Sequence, residues 1–210
     1  DLRLSRGLGD VYKRQVKCKS NNKLVVFSTL GKFYTINCSR VSSGRGFGDP
    51  ISLLIDKNDN EEVLFFKIYE QDKEFLITSS AGKGFFVNSN DFIASTKSGK
   101  KVMNLKDNDR AVSCAEKKGD LIVSISGEKK SFKLLAFNSS EIPNMQKGRG
   151  VTLQKFKSGK TLNAFCADSN EGIINERSKK VLLSAKDLKK WLGKRAQAGR
   201  IEPKNLHSKI

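Results

Sequence analysis

The sequence predicts an all-β chain built as a propeller-like array of four-stranded units. Three observations carry this. Hairpin-like runs of β-branched and aromatic residues recur at a spacing of about 50 residues. Each run is split by a tight polar turn, Gly31-Lys32 and Gly82-Lys83 in the clearest copies. A short basic glycine turn and a second pair of apolar runs then follow. Such units are marginal alone and must stack on neighbours.

Taken in order, residues 1–15 lack a strand pattern and carry Arg3, Arg6, Lys13 and Arg14 without a repeat partner. The string from Gly7 to Gln15 resembles translated sequencing-adapter read-through and is set aside as a non-native segment. The reading frame is then expected to be part of a longer one, extending further upstream. Residues 16–184 are assigned to the blades. Residues 16–19 are expected to be the last strand of an earlier unit. Hairpins are expected over residues 23–37, 74–88 and 120–137, with a truncated fourth copy over 171–183. Each complete unit is expected to close with a strand pair: 51–55 with 63–69, 102–105 with 111–115, and 151–153 with 161–166. That makes three complete blades plus partial ones. Residues 185–210 are assigned to a short C-terminal helix and a basic tail. Ser184 is the expected N-cap, and Leu188, Trp191 and Leu192 stand at helical spacing. Trp191 is expected to dock this helix on the last blade, and residues 202–210 are expected to be loose.

Charge narrows the function. Lys plus Arg number 40 against 22 for Asp plus Glu, a net +18. A global excess of this size favours a polyanion, most simply nucleic acid, with a membrane surface as the other candidate. No apolar run approaches the roughly 20 residues that span a bilayer. Cys18, Cys38, Cys114 and Cys166 have no C-x-x-C spacing and read as buried free thiols, which suits the cytoplasm.

The basic glycine turns are the leading site candidates: Gly44-Arg45-Gly46-Phe47, Gly99-Lys100-Lys101-Val102 and Gly148-Arg149-Gly150-Val151. Glycine lets the backbone turn tightly, and cations there suit phosphate oxygens. Arg45, Lys97, Lys100, Lys101, Lys147 and Arg149 are therefore expected on phosphates. The hairpin-tip residues Lys32, Lys83, Lys129 and Lys130 form a second set, joined by Lys157 and Lys160. The phenylalanines stand at alternating strand positions, which favours core packing over base stacking. Catalytic machinery is not expected in this segment. His207 is the lone histidine, no P-loop is present, and no acidic spacing suits a metal.

The repeats, together with residues 43–51, residues 145–151 and the closing stretch from Trp191 to Arg200, resemble the C-terminal β-pinwheel domain of bacterial type IIA topoisomerase A subunits, gyrase and topoisomerase IV. The resemblance covers residues 16–203. No intact gyrase box of the form Q-R/K-R-G-G-R/K-G is present, and the glycine turns look like the degenerate versions of topoisomerase IV. The resemblance implies a domain that binds and bends duplex DNA along its outer rim. It also implies a complete enzyme that passes one duplex through another, with a B subunit in an A2B2 complex and with ATP and Mg bound outside this segment. The strand-breaking tyrosine of the family follows an arginine, and neither Tyr34 nor Tyr69 does. The rivals from other classes are a propeller-type protein scaffold and an RNA-binding β module, which would expose stacking aromatics.

Overall fold

Three hairpins form the centre of the molecule, where the sequence places them. The computed structural model describes residues 16–41, 49–128, 131–175, 178–204 and 206–209. In chain order the strands are β1 (Lys23–Ser28), β2 (Lys32–Asn37), β3 (Val63–Ile68), β4 (Glu74–Ser79), β5 (Lys83–Asn88), β6 (Lys100–Lys101) and β7 (Ala111–Glu116). They continue as β8 (Leu121–Glu128), β9 (Ser131–Asn138), β10 (Val151–Thr152), β11 (Lys160–Ala167), β12 (Ile173–Ile174), β13 (Val181–Leu183) and β14 (Arg200–Ile201). One short helix, α1, spans Ala185–Leu188. The first two hairpins turn through Gly31 and Gly82, with φ of 71° and 73°. Their N–H groups donate to Ser28 and Ser79 carbonyls. A side chain at positive φ is strained, so glycine fits there.

Each hairpin acquires one strand on either edge. The sheets run β3-β1-β2-β6, β10-β5-β4-β7 and β11-β8-β9-β14, followed by the pair β12-β13. The inner-edge strands β3, β7 and β11 come from the same repeat, as expected. The other edge does not. β6 follows the second hairpin yet pairs with β2 of the first blade, through Lys32–Lys101 and Phe33–Lys100. β10 crosses back to β5 and β14 to β9 in the same way. Strands are exchanged between blades, which corrects the expectation that residues 102–105 and 151–153 close their own unit.

Two further corrections concern elements read as strands. Residues 51–55 form no strand: Ile51–Leu53 is a 3-10 turn entered from Pro50. Ile51, Leu54 and Ile55 follow helical rather than alternating spacing, and all three pack on the first blade. Residues 16–19 form no strand either, and Cys18 packs against the same apolar cluster.

The core lies between blades. Alternating residues of a strand face opposite ways, so Val25 and Phe27 pack towards the second blade while Leu24 and Val26 pack on the far face. The seam between the first two blades joins Phe27, Phe33, Phe75, Phe85 and Phe92. Phe33 and Phe92 stack at 4.1 Å with an interplanar angle of 7°. Leu76 and Phe86 meet Ile122, Leu135 and Phe137 at the next seam. β12, β13, α1 and Leu206 close the outer face of the third blade.

Ser184 caps α1, its hydroxyl accepting the Asp187 N–H at 3.1 Å. Trp191 packs near this cluster and donates its indole N–H to the Ile201 carbonyl at 2.8 Å. Leu192 is exposed at 43%, so the helical spacing stops short of it. The tail is not loose over its described residues. Leu206 is buried, and the His207 ring lies 4.1 Å from that of Phe132. Among the described residues no helix is long and apolar enough to cross a membrane. All four cysteines are free, and burial pushes the Cys38 and Cys166 thiols up to about 11.

The strand exchange makes one glycine of the Gly148-Arg149-Gly150 turn indispensable. Gly150 has φ of 73°, and an added Cβ would lie 2.4 Å from the Gly84 carbonyl oxygen. At Gly148 φ is not positive, and the nearest atom is the flexible Met145 Cε. Gly150→Ala should lower unfolding stability by about 2 kcal/mol or more, and Gly148→Ala by under about 1 kcal/mol. Urea denaturation of the two variants checks this; equal losses would refute the assigned register.

Candidate nucleic-acid interface

The seams where the exchanged strands join carry the cations. Each is entered through a glycine in the left-handed region: Gly99, Gly150 and Gly199, with φ of 74°, 73° and 73°. Each glycine faces the carbonyl oxygen of an equivalent residue across the seam, Phe33, Gly84 and Leu134. A recurring hydrogen bond fixes the approach. Lys97, Gly148 and Gln197 offer their carbonyls to the N–H groups of Asp56, Asn104 and Lys155, at 2.9, 2.7 and 3.0 Å.

This geometry corrects the alignment made from sequence. Gly99 corresponds to Gly150, not Gly148. The partner of Lys100 in the next blade is therefore Val151, because both pair with equivalent positions, Phe33 and Gly84. Arg149 precedes its positive-φ glycine, as Ser98 does in the earlier copy. The third equivalent turn is Gly199-Arg200, which sequence reasoning placed in a basic tail. The spacing of Gly99, Gly150 and Gly199 was the signal that could have found it.

At the first seam Lys100 and Lys101 are exposed, and Lys101 stands directly across from Lys32. The Lys100 ammonium donates to the Asp91 carbonyl, and Lys97 donates to the Leu53 carbonyl at 3.2 Å. Among the described residues these partners are neutral carbonyls and neither lysine has a carboxylate within ion-pair distance. At the second seam Lys147 and Arg149 are exposed in the turn. Lys83 is half-buried and donates to Thr152 Oγ1 at 2.6 Å. Arg195 reaches in from the C-terminal segment and donates to the Thr152 carbonyl at 2.9 Å. At the third seam Lys133 pairs with Ile201 and Leu134 with Arg200. The Arg200 guanidinium donates to the Lys190 carbonyl at 2.8 Å. Lys133, Arg195 and Arg200 are the cations that the sequence reading missed.

Other candidates fall elsewhere. Lys157 precedes β11 and Lys160 begins it, on the edge of the third blade opposite β14. Thr161 beside them donates its N–H to the Ser80 carbonyl in the second hairpin turn, so this pair borders a different seam. Arg45, Lys129 and Lys130 lie outside the described residues, as does the turn at Gly44. Six phenylalanines are committed to the core: Phe27, Phe33, Phe85, Phe86, Phe92 and Phe137 are each under 3% exposed. Among the described residues no group of three or more His, Cys, Asp and Glu side chains could hold a metal ion.

One carboxylate lies beneath the first seam. Glu61 is 2% exposed and accepts the Tyr34 O–H at 2.7 Å and the Asn58 N–H at 3.1 Å. Burial opposes its ionisation. Hydrogen bonds from Ser28, Tyr34 and Asn58, with the charge of Lys32, outweigh that and hold its carboxyl below the ordinary value. Burial first, then Glu61, drives the Tyr34 phenol upward. Tyr34 itself supports the turn: a Cβ on Gly99 would lie 2.7 Å from its ring.

Comparison with known proteins gives a consistent picture. The family model of the DNA gyrase C-terminal domain, a β-propeller, matches residues 73–115 and 136–165. The chain is 39% identical over 199 residues to the DNA topoisomerase 4 A subunit of Rickettsia felis, covering 95% of this chain and 26% of that protein. It is 29% identical over 198 residues to the protein of the same name from Caulobacter vibrioides, covering 94% and 26%. The chain thus spans about a quarter of the length of these curated relatives. Among solved structures it resembles the E. coli ParC C-terminal domain, with a TM-score of 0.75, 24% identity, and coverage of 91% of this chain and 80% of that one. A DNA gyrase A C-terminal domain matches with a TM-score of 0.64, 24% identity and coverage of 96% and 69%.

The Glu61 geometry predicts a pH dependence. Its folded value lies below the ordinary 4.5, so its contribution is present above that pH and is lost as pH falls through the folded value. The stability gap between the parent and Glu61→Gln should be constant from neutrality to about pH 5 and shrink as pH falls below 4.5 through the folded value. Thermal melts across that range check it; a gap that persists at the acid end would refute an ionised Glu61.

Proposed function

Since the chain belongs to the gyrase A–topoisomerase IV A family, as its C-terminal β-propeller domain, we propose that it binds and bends duplex DNA and presents it to the rest of a topoisomerase IV. The observation that carries this reading is the repeated seam. Exchanged strands at successive blades are entered through equivalent glycines, with exposed cations at or beside each: Lys97, Lys100 and Lys101, then Lys147 and Arg149, then Arg200. Lysines and arginines on short turns contact phosphate oxygens and position a duplex without reading bases. The buried aromatics argue against a single-strand stacking platform.

In this reading the complete protein is the A subunit of an ATP-dependent type IIA topoisomerase that relaxes and decatenates DNA. It partners a B subunit in an A2B2 complex, in the cytoplasm and at the nucleoid. ATP and Mg act outside this segment, and the blades supply affinity and path. The names of the relatives favour topoisomerase IV over gyrase.

Binding should be largely non-specific and steeply salt-dependent. A surface that neutralises about six phosphates loses roughly a thousandfold in affinity between about 50 and 200 mM salt. Replacing Lys100, Lys101 and Arg149 together by Gln should reduce the log–log salt slope by about 2.7, with circular dichroism unchanged. Fluorescence anisotropy with a duplex of random sequence measures both. A flat salt dependence in the parent would sink the DNA-binding reading and favour a protein scaffold.

A further inference from the structure

Glu61 is an unexpected residue to find under a polyanion-binding seam. It is a buried carboxylate in a chain of net charge +18. Its position in the repeat is shared by Asp109, two residues before the first residue of β7, as Glu61 is two before β3. Asp109 turns its carboxylate towards a local turn, accepting the Ser80 O–H at 2.7 Å and the Ala81 N–H at 2.9 Å. Glu61, one methylene longer, reaches inward to Tyr34. The residues equivalent to Tyr34 are Phe85 and Leu135, which offer no hydroxyl. The acid–phenol pair is thus particular to the first of the three four-stranded blades.

Lys32 lies 6.0 Å from the centre of the Tyr34 ring, on the side chain that donates to Glu61. The positive charge of Lys32 acts on the Glu61 carboxylate. Lys32 is half-buried, whereas Lys101 directly across from it is exposed. Two ammonium groups on directly opposed residues repel each other. The negative charge of Glu61 offsets part of that repulsion on the Lys32 side.

We propose that Glu61 is a positioning residue that withholds Lys32 from the phosphate-binding surface, so that among the described residues the first seam engages DNA through Lys97, Lys100 and Lys101. This rests on the DNA-binding reading above and refines it by giving the reason why Lys32, a hairpin-tip lysine expected on phosphates from the sequence, stays out of the contacting set. A buried carboxylate has low local dielectric around it, so its attraction for a nearby cation is screened less than that of a phosphate reached through water. The phenol relays the arrangement: it fixes the carboxylate on one side and packs under Gly99 on the other.

The test is a double-mutant cycle read as the salt slope of duplex binding by the full chain. Lys32→Gln alone should leave the slope unchanged. Glu61→Gln frees the lysine and should steepen the slope by about 0.9, the value of one added phosphate contact. Affinity at about 100 mM salt should rise several-fold. Combining the two substitutions should return the slope to that of the parent. A merely structural role for Glu61 would weaken binding and would not be reversed by Lys32→Gln. Tyr34→Phe, which removes the hydrogen bond that fixes the carboxylate but keeps its charge, should steepen the slope by less than Glu61→Gln does, and that smaller gain should also vanish with Lys32→Gln. If Glu61→Gln does not fold, Lys32→Gln alone decides: a slope reduced by about 0.9 overturns the proposal. Absence of any duplex binding by the parent at low salt would instead overturn the functional reading itself.

Discussion

The architecture depends on strand exchange through a left-handed glycine. Every four-stranded blade is completed by two residues from the following repeat, and no blade can close alone. The exchanged strand must leave one blade, turn sharply and lie against the edge of the preceding one. Gly99, Gly150 and Gly199 make that turn against a carbonyl 2.9, 2.4 and 2.5 Å from where a Cβ would sit. An L side chain would meet both the backbone strain and the oxygen. The same constraint sets the chemistry of the surface. The exchanged strands are short, and their neighbouring turns are rich in lysine and arginine. Exposed cations therefore recur at each place where blades interlock, and the hydrophobic seams behind hold that edge in place.

The hairpins were legible in the sequence because their signal is local. Alternating apolar residues around Gly31-Lys32 and Gly82-Lys83 specify strand, turn and register together. The inner strands were legible for the same reason. The exchange was not, because two-residue strands such as Lys100–Lys101 have no period to detect, and the pairing partner lies in another repeat. Residues 51–55 looked like a strand because they are apolar, whereas the apolar set Ile51, Leu54 and Ile55 has helical spacing. The polar composition of the tail predicts a loose segment, yet Leu206 anchors it in the third blade's core and His207 packs beside Phe132.

The candidate site was legible as a composition and only partly as a geometry. Glycine followed by a cation drew attention to Lys100, Lys101 and Arg149. The same pattern equates Gly148 with Gly99, since both precede a basic residue. Backbone conformation, not the neighbouring charge, defines equivalence, and it promotes Gly150 and Gly199. Lys133, Arg195 and Arg200 then join the seams from segments that no local motif connects. Glu61 was invisible for a related reason: a single acid in a polar turn gives no sign that it will be buried against a tyrosine from another strand.

The central claim is that duplex DNA lies against the exchanged-strand edge and not against the inner edge of the blades. Amide hydrogen exchange read by mass spectrometry, with and without a duplex, tests it most directly. Added DNA should protect residues 97–101, 147–152 and 199–201, and leave β3, β7 and β11 unchanged. Protection confined to β3, β7 and β11, or spread evenly over the chain, would contradict the account.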